Sequence, residues 1–223
     1  MAKHMKALLL TLGAATMMAS LGTSAAQTFQ INTLPYTISV PGDYILERNL
    51  QSNAPTLITI TVGDVTLDLN GHTLSSTSSQ YAIHLKGVQN VAIKNGSIRD
   101  PVNPLSPQQG GVGILLGGAT ECLIRDLSIS AKQGAIIDAG GGNNLIRDCM
   151  IETYPSLVAA ITLQGTNGDL IEHNLIKWQG WGVLDTGHSP HASNAVKDNV
   201  VNVAGQGGLS IPDDLGHQQR SRQ

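Results

Sequence analysis

The sequence predicts an all-β solenoid, a parallel β-helix of about seven coils behind a short N-terminal β cap. Three observations predict it. A six-residue pattern, apolar-x-x-small/polar-x-apolar, recurs at Ile93–Ile98, Ile124–Ile129, Ile146–Ile151, Ile171–Ile176 and Val196–Val201. Its starts lie 31, 22, 25 and 25 residues apart, and self-similarity at such a period marks a stack of coils. Aromatic residues make up only 3% of the chain while glycine is 25 of 223, a composition suited to thin layers filled by Ile, Leu and Val with tight corners. No stretch after residue 26 carries a long apolar period of 3.6, so helices should be scarce.

Residues 1–26 read as a secretory signal peptide and are set apart from the fold. Lys3 and Lys6 give a positive start, Ala7 to Ala19 is mostly apolar, and Ser24-Ala25-Ala26 is a small-residue cleavage site. The expected location is therefore the periplasm or the extracellular space, with no membrane attachment after cleavage. Without this segment the formal net charge moves from −3 to −5, because the two lysines leave and no acid does. A mildly acidic chain lacks the basic stripe that a nucleic-acid partner needs.

Residues 27–56 differ from the repeats. Tyr36-Thr37-Ile38-Ser39-Val40 alternates and stops at Pro41-Gly42-Asp43, a turn signal, before Tyr44-Ile45-Leu46 resumes. This segment is expected to be a short antiparallel cap over the first coil, since the ends of a solenoid expose unpaired edges. The β-helix itself is placed at 57–211. Its first coil has three short strands, Leu57–Val62, Val65–Leu69 and His72–Leu74, separated by Gly63-Asp64 and Asn70-Gly71. Later coils open with Gly or Ala before an apolar triplet, as in Ala82-Ile83-His84-Leu85, Ala135-Ile136-Ile137-Asp138 and Gly182-Val183-Leu184-Asp185.

The repeat register sorts residues into columns spaced about 4.8 Å per coil. Ile93, Ile124, Ile146, Ile171 and Val196 form one inward column; Ile98, Ile129, Ile151, Ile176 and Val201 form another. Asn174 should stack on Asn199 at a corner, with amides bonding coil to coil. Cys122 and Cys149 sit five residues apart in register, roughly 16 Å along a strand, too far for a disulfide. Lys94, Arg125, Arg147, Glu172 and Lys197 make one outward column beside Asn95, Asp126, Asp148, His173 and Asp198. Each base stands next to an acid or an amide, which reads as a self-neutralising solvated face rather than a stripe for an acidic polymer. The outward positions of the first strand, His84, Leu115, Ile137, Thr162, Leu184 and Ser210, are half aliphatic and suit a contact surface better than a catalytic face.

Two stretches interrupt the coils. Residues 99–110 contain Pro101, Pro104 and Pro107, and residues 186–194 contain Gly187, Ser189, Pro190 and Ser193; both read as projecting loops. Residues 212–223 form a polar tail. Either it folds over the last coil, or that coil frays or pairs with another chain.

At this point the chain resembles the exported bacterial right-handed parallel β-helix proteins of the pectin-lyase-like superfamily. Tyr36–Leu46 resembles their N-terminal lead-in, and Val65-Thr66-Leu67-Asp68-Leu69-Asn70-Gly71-His72-Thr73-Leu74 resembles their first coil. The resemblance spans roughly residues 30–211 and implies a polysaccharide as partner, with a lyase, hydrolase or C5-epimerase activity. Asn-Thr-Asp, Gly-His-Gly and Asp-Pro-His-Asp motifs of those enzymes are missing, and Asp213-Asp214 matches the paired acids of the hydrolases without their companions. The resemblance therefore specifies fold more than reaction, and a non-catalytic structural or adhesive surface solenoid is the alternative.

The residues best suited to chemistry are Asp185, His188 and His191. Asp185 can orient His188 as a general base that abstracts a sugar-ring proton. The His-x-x-His pair with the carboxylate also offers a ligand set to a divalent metal, although the sequence requires no cofactor. A polar surface loop with two solvated histidines is the plainer reading of the same residues. Trp178, Trp181 and Tyr81 are the candidate substrate-binding aromatics; Tyr81 shares the column of Trp181 four coils lower, a span of roughly 19 Å that only a polymer would bridge.

Overall fold

The computed structural model describes residues 27–76, 80–99, 111–152, 159–178, 180–186 and 194–203. The described chain is entirely β. Strand β1 (Thr28–Ile31) precedes a coil made of β2 (Tyr36–Ile38), β3 (Gly42–Leu46) and β4 (Leu50–Gln51). The next coil holds β5 (Thr56–Ile60), β6 (Val65–Asp68) and β7 (Thr73–Ser75). In the following two coils one long strand runs through a corner: β8 (Tyr81–Lys86) with β9 (Val91–Arg99), then β10 (Val112–Gly117) with β11 (Leu123–Ser130). Three coils complete the described stack. They are β12 (Gly134–Ala139), β13 (Leu145–Arg147) and β14 (Met150–Glu152); β15 (Ile161–Gln164), β16 (Leu170–Glu172) and β17 (Leu175–Trp178); and β18 (Val183–Asp185), β19 (Ala195–Lys197) and β20 (Val200–Val203).

Every described strand pairing is parallel. The first face stacks β2, β5, β8, β10, β12, β15 and β18 as a seven-stranded sheet. The second face stacks β1, β3, β6, the first part of β9 and of β11, β13, β16 and β19; the third continues from it through β4, β7, β14, β17 and β20. The seven strands of the first face agree with the expected coil number, with six full turns between the first and the last.

One expectation is corrected. Residues 27–56 are not an antiparallel cap: β1 pairs in parallel with β3, β2 with β5 and β4 with β7. The segment is the lowest coil of the same helix. The turn at Pro41-Gly42-Asp43 is a corner and does not reverse the chain. The floor of that coil is closed by aromatic packing instead: Phe29 stacks on Tyr44 at 4.7 Å and Tyr36 meets Tyr44 edge-on at 6.2 Å.

The inward columns follow the predicted register. Ile93, Ile124, Ile146, Ile171 and Val196 pair rung by rung, extended below by Leu67 and Tyr44. Ile98, Ile129, Ile151, Ile176 and Val201 do the same on the third face. The four isoleucines of the first column are wholly buried, and such burial contributes about 1.5–3 kcal/mol per side chain.

The corners are held by side chains that replace the strand ladder. Between the second and third faces, Asn95, Asp126, Asp148, His173 and Asp198 take φ of 53–59°, a left-handed conformation that short polar residues tolerate. The residue after each begins an interior ladder. The Leu127 backbone bonds the Cys149 sulfur, Cys149 N–H donates to Asn174 Oδ1 at 3.0 Å, and Asn174 N–H donates to Asn199 Oδ1 at 2.8 Å. Asn174 Nδ2 also reaches Ile146 O at 3.0 Å. Each sulfur and amide oxygen thus accepts the backbone donor one coil below, as expected for Asn174 on Asn199.

Both cysteines are free and buried, on two different corners. Burial raises the Cys122 thiol to about 11 and the Cys149 thiol to about 12, so both stay protonated at neutral pH. A neutral thiol can donate and accept at once: Cys149 Sγ donates to Arg147 O at 3.2 Å and Cys122 Sγ to Thr120 O at 3.3 Å.

The ladder gives a direct prediction. Asn174→Ala should cost about 2–3 kcal/mol, because it strands the buried Cys149 N–H without an acceptor. Urea denaturation of the variant would measure this, and a loss below about 0.5 kcal/mol would mean the ladder carries little stability.

Candidate functional site

The first face has two edges, and the candidate residues divide between them. Strands of this face begin at the column Tyr81, Val112, Gly134, which Ala159 and Trp181 continue, Trp181 O accepting from Ala160 N–H at 2.9 Å. They end at the column Ile60, Leu85, Leu116, Asp138, Leu163, Asp185, and then turn into the second face.

At the opening edge, Trp181 is 39% exposed. Tyr81 is half-buried, with its ring 5.1 Å from the His84 imidazole and its hydroxyl accepting from Gln80 Nε2 at 3.1 Å. Burial, with Lys86 as a smaller contribution, lowers the His84 pKa, so this imidazole is neutral at pH 7. Trp178 departs from its expected role. It is 1% exposed and packs in the core at the end of β17, so its indole cannot stack on a sugar. The two tryptophans divide the work: one fills the interior and one stands on the surface.

At the closing edge two coils of this column depart from the aliphatic pattern. Position 138 faces inward where Ile60, Leu85, Leu116 and Leu163 are aliphatic, yet it is Asp, with no exposed surface. Its Oδ2 accepts from Asn144 Nδ2 at 2.6 Å. Asp185 repeats the arrangement two coils higher, its Oδ2 accepting from Asn194 Nδ2 at 2.9 Å. Asp185 is therefore half-buried against the corner and tied to an amide; His188 and His191 lie outside the described residues, as do the segment 1–26, residues 100–110 and the tail 212–223.

Asn144 and Asn194 belong to a second interior ladder, at the corner between the first and second faces. The Val91 backbone bonds the Cys122 sulfur, and Cys122 N–H donates to Asn144 Oδ1 at 2.9 Å. Asn144 N–H donates to Asp169 Oδ1 at 2.9 Å, and Asp169 N–H donates to Asn194 Oδ1 at 3.0 Å. Asp138, Asp169 and Asp185 thus line one polar seam inside the upper coils. Burial, then the neighbouring Asp169, raises Asp138 from 3.8 to about 7, against the Asn144 hydrogen bond. Burial raises Asp169 as well. Among the described residues, Asp138 Oδ1 and Asp169 Oδ2 have no hydrogen-bond partner, and no three His, Cys, Asp or Glu side chains gather as a metal site.

The sequence reading missed this seam. Its signal was present, since Asp138 and Asp185 occupy the third place of the same apolar triplet that is Leu in other coils. The outward columns behave as read: Lys94 pairs with Asp68 at 3.4 Å, Lys197 with Glu172 at 3.0 Å, Arg147 with Asp148 at 3.6 Å, and Arg125 with Asp126.

A profile described as "Right handed beta helix region" matches residues 81–214. The chain belongs to this right-handed β-helix family. Among solved structures, the chain is similar to the crystal structure of an alginate lyase from Paenibacillus sp. str. FPU-7, at 13% identity and a TM-score of 0.45, covering 82% of this chain and 88% of that one. No curated protein matches the sequence. The β-helix expected from the resemblance to pectin-lyase-like proteins is the fold observed.

The buried acids make stability depend on pH. An acid whose folded pKa is raised holds a proton that the unfolded chain releases, so stability falls as pH rises between 3.8 and about 7. Asp138→Asn should flatten that slope. Urea titrations at several pH values would measure it, and a variant with the parent's full slope would remove Asp138 as its source.

Proposed function

We propose that this chain is an exported β-helix that binds an extended polysaccharide along the opening edge of its first face. The observation that carries the reading is the 39% exposure of Trp181 on the column that also holds Tyr81. Large aromatic faces stack on sugar rings, and the four rungs between these two residues span roughly 19 Å. A single sugar cannot touch both, whereas a polymer laid along the solenoid axis can. The chemistry we assign to the same coil as Trp181, at the edge across the face where Asp185 ends β18, is lyase, epimerase or hydrolase in type, with His188 as the proton-transfer group and Asp185 and His191 as its candidate partners. Asp185 ends β18, the strand that Trp181 precedes, and His188 and His191 follow it in the sequence, which supports platform and base belonging to one coil.

A second reading, a non-catalytic adhesive solenoid, is favoured by the outward column of the first face. Leu115, Ile137 and Leu184 there are aliphatic and half-buried, as a contact surface would be. Glycan-array binding and an assay for unsaturated products separate the two. Trp181→Ala should weaken polysaccharide binding by about 1 kcal/mol or more, roughly fivefold. His188→Ala should abolish turnover and leave binding mostly intact, because a proton-transfer group acts in the transition state. Parent-like binding and turnover in both variants would favour the adhesive reading.

Export rests on Lys3, Lys6, the apolar run from Ala7 to Ala19 and Ser24-Ala25-Ala26. N-terminal sequencing of the protein recovered from the cell exterior or periplasm should begin at or near Gln27. A product that retains Met1 would exclude cleavage there.

A further inference from the structure

The opposite edge of the first face carries a groove that the reading above does not use. It is about 380 Å³ in volume and lies at the corner into the second face, lined by Thr61, Gly63, Gly87, Gln89, Gly118 and Thr120 among others. It runs across three successive coils. Its floor is a column of glycines, Gly87 (φ 59°) and Gly118 (φ 69°), continued above by Gly140 (φ 75°) and Gly165 (φ 65°). The left-handed backbone alone does not demand glycine here. A few residues away, the same corner uses Asp64, Asn90, Glu121 and Asn143 at φ of 55–57°. At the glycine column a side chain would meet open space. A Cβ built at Gly87, Gly140 or Gly165 meets nothing within 4 Å, and at Gly118 it meets only the Gly87 Cα at 3.8 Å. Side chains at Gly87 and Gly118 would stand in the groove.

The floor is also closed as a backbone partner. Gly87 N–H donates to Gly117 O at 2.7 Å, Gly118 N–H to Ala139 O at 2.7 Å, and Gly140 N–H to Gln164 O at 2.9 Å. These donors are spent between coils, so an extended peptide cannot add to them as a strand would. The groups left to recognise a ligand are uncharged: the exposed Gln89 amide and the hydroxyls of Thr61 and Thr120. Thr61 Oγ1 donates to Ile38 O at 3.1 Å and keeps its lone pairs as acceptors. The nearby Asp64 carboxylate is engaged by Asn90 Nδ2 at 2.6 Å. Gln89 and Thr120 stand on adjacent rungs of one column, about 4.8 Å apart, close to the length of one hexose ring.

We infer that this groove is a second carbohydrate site, distinct from the Trp181 edge, that takes a neutral oligosaccharide laid across the coils. Glycine gives the ring close approach to the backbone, and amide and hydroxyl side chains answer its hydroxyls. The lining itself carries no charge, and Asp64 and Glu121 flank it beside the single Lys86, a balance that disfavours a uronate.

The test uses the mature chain and titration calorimetry with neutral glucan, mannan and galactan hexasaccharides, and a hexauronate for contrast. At least one neutral hexasaccharide should bind. Gly118→Asn fills the floor with a residue that tolerates positive φ, and Gln89→Ala removes the amide from an exposed position; each should weaken that binding about tenfold with an unchanged melting temperature. Trp181→Ala should leave it within about twofold, which separates this site from the one proposed above. Should Gly118→Asn fold poorly, Gln89→Ala alone decides. No neutral binder, groove variants that bind like the parent, or neutral binding that disappears with Trp181→Ala would each overturn the inference, the last while leaving the Trp181 site standing.

Discussion

The structure depends on one hydrogen bond repeated from coil to coil: a corner N–H given to a side-chain acceptor on the residue directly above it. A strand can satisfy its backbone through the neighbouring rung, but a chain that turns a tight corner loses that alignment. In this molecule Asn144, Asp169, Asn194, Asn174 and Asn199 supply the missing acceptor from inside the coil. Because each one accepts from the coil beneath, the corners cannot slip relative to one another without losing a buried bond. Register on all three faces follows, and with it the alignment of the aliphatic columns.

The same rule explains where the cysteines sit. Both stand at the point where a ladder passes from apolar rungs below to polar rungs above. Cys122 rises from Val91 to Asn144, and Cys149 from Leu127 to Asn174. A thiol is small enough for the apolar side and polar enough to accept one N–H and donate one S–H. Their burial and raised pKa therefore mark them as ladder residues and not as reactive groups.

The acid seam shows the opposite balance. Replacing a leucine of the inward column by Asp138 places a carboxyl where solvent cannot reach, next to Asp169 on the adjoining corner. Two buried carboxyls in one seam oppose ionisation in each other, and a single amide bond to Asn144 offsets only part of that. Outside, charge is handled cheaply. Lys94, Arg125, Arg147 and Lys197 each stand by an acid, so these columns carry little net field.

Much of this was legible in the residues themselves. The recurrence of Ile124, Ile146 and Ile171 fixed the coil period, the columns and the Asn174–Asn199 stack, because a solenoid repeats the same physical problem at each turn. The parallel pairing of residues 27–56 was not legible: alternation along Tyr36–Val40 marks a strand but carries no sign of its partner's direction. Trp178 and Trp181 are three residues apart around Gly180, and only the packed coil decides which indole is inside. The seam of Asp138, Asp169 and Asp185 likewise belongs to the tertiary structure. Three acids dispersed over 47 residues become neighbours because the chain returns to the same corner in each coil, and distance along a sequence says nothing about how far apart those returns lie. Sequence alone determined what each coil is made of; stacking decided what the coils make together, since burial, charge proximity and exposed edges exist only between rungs.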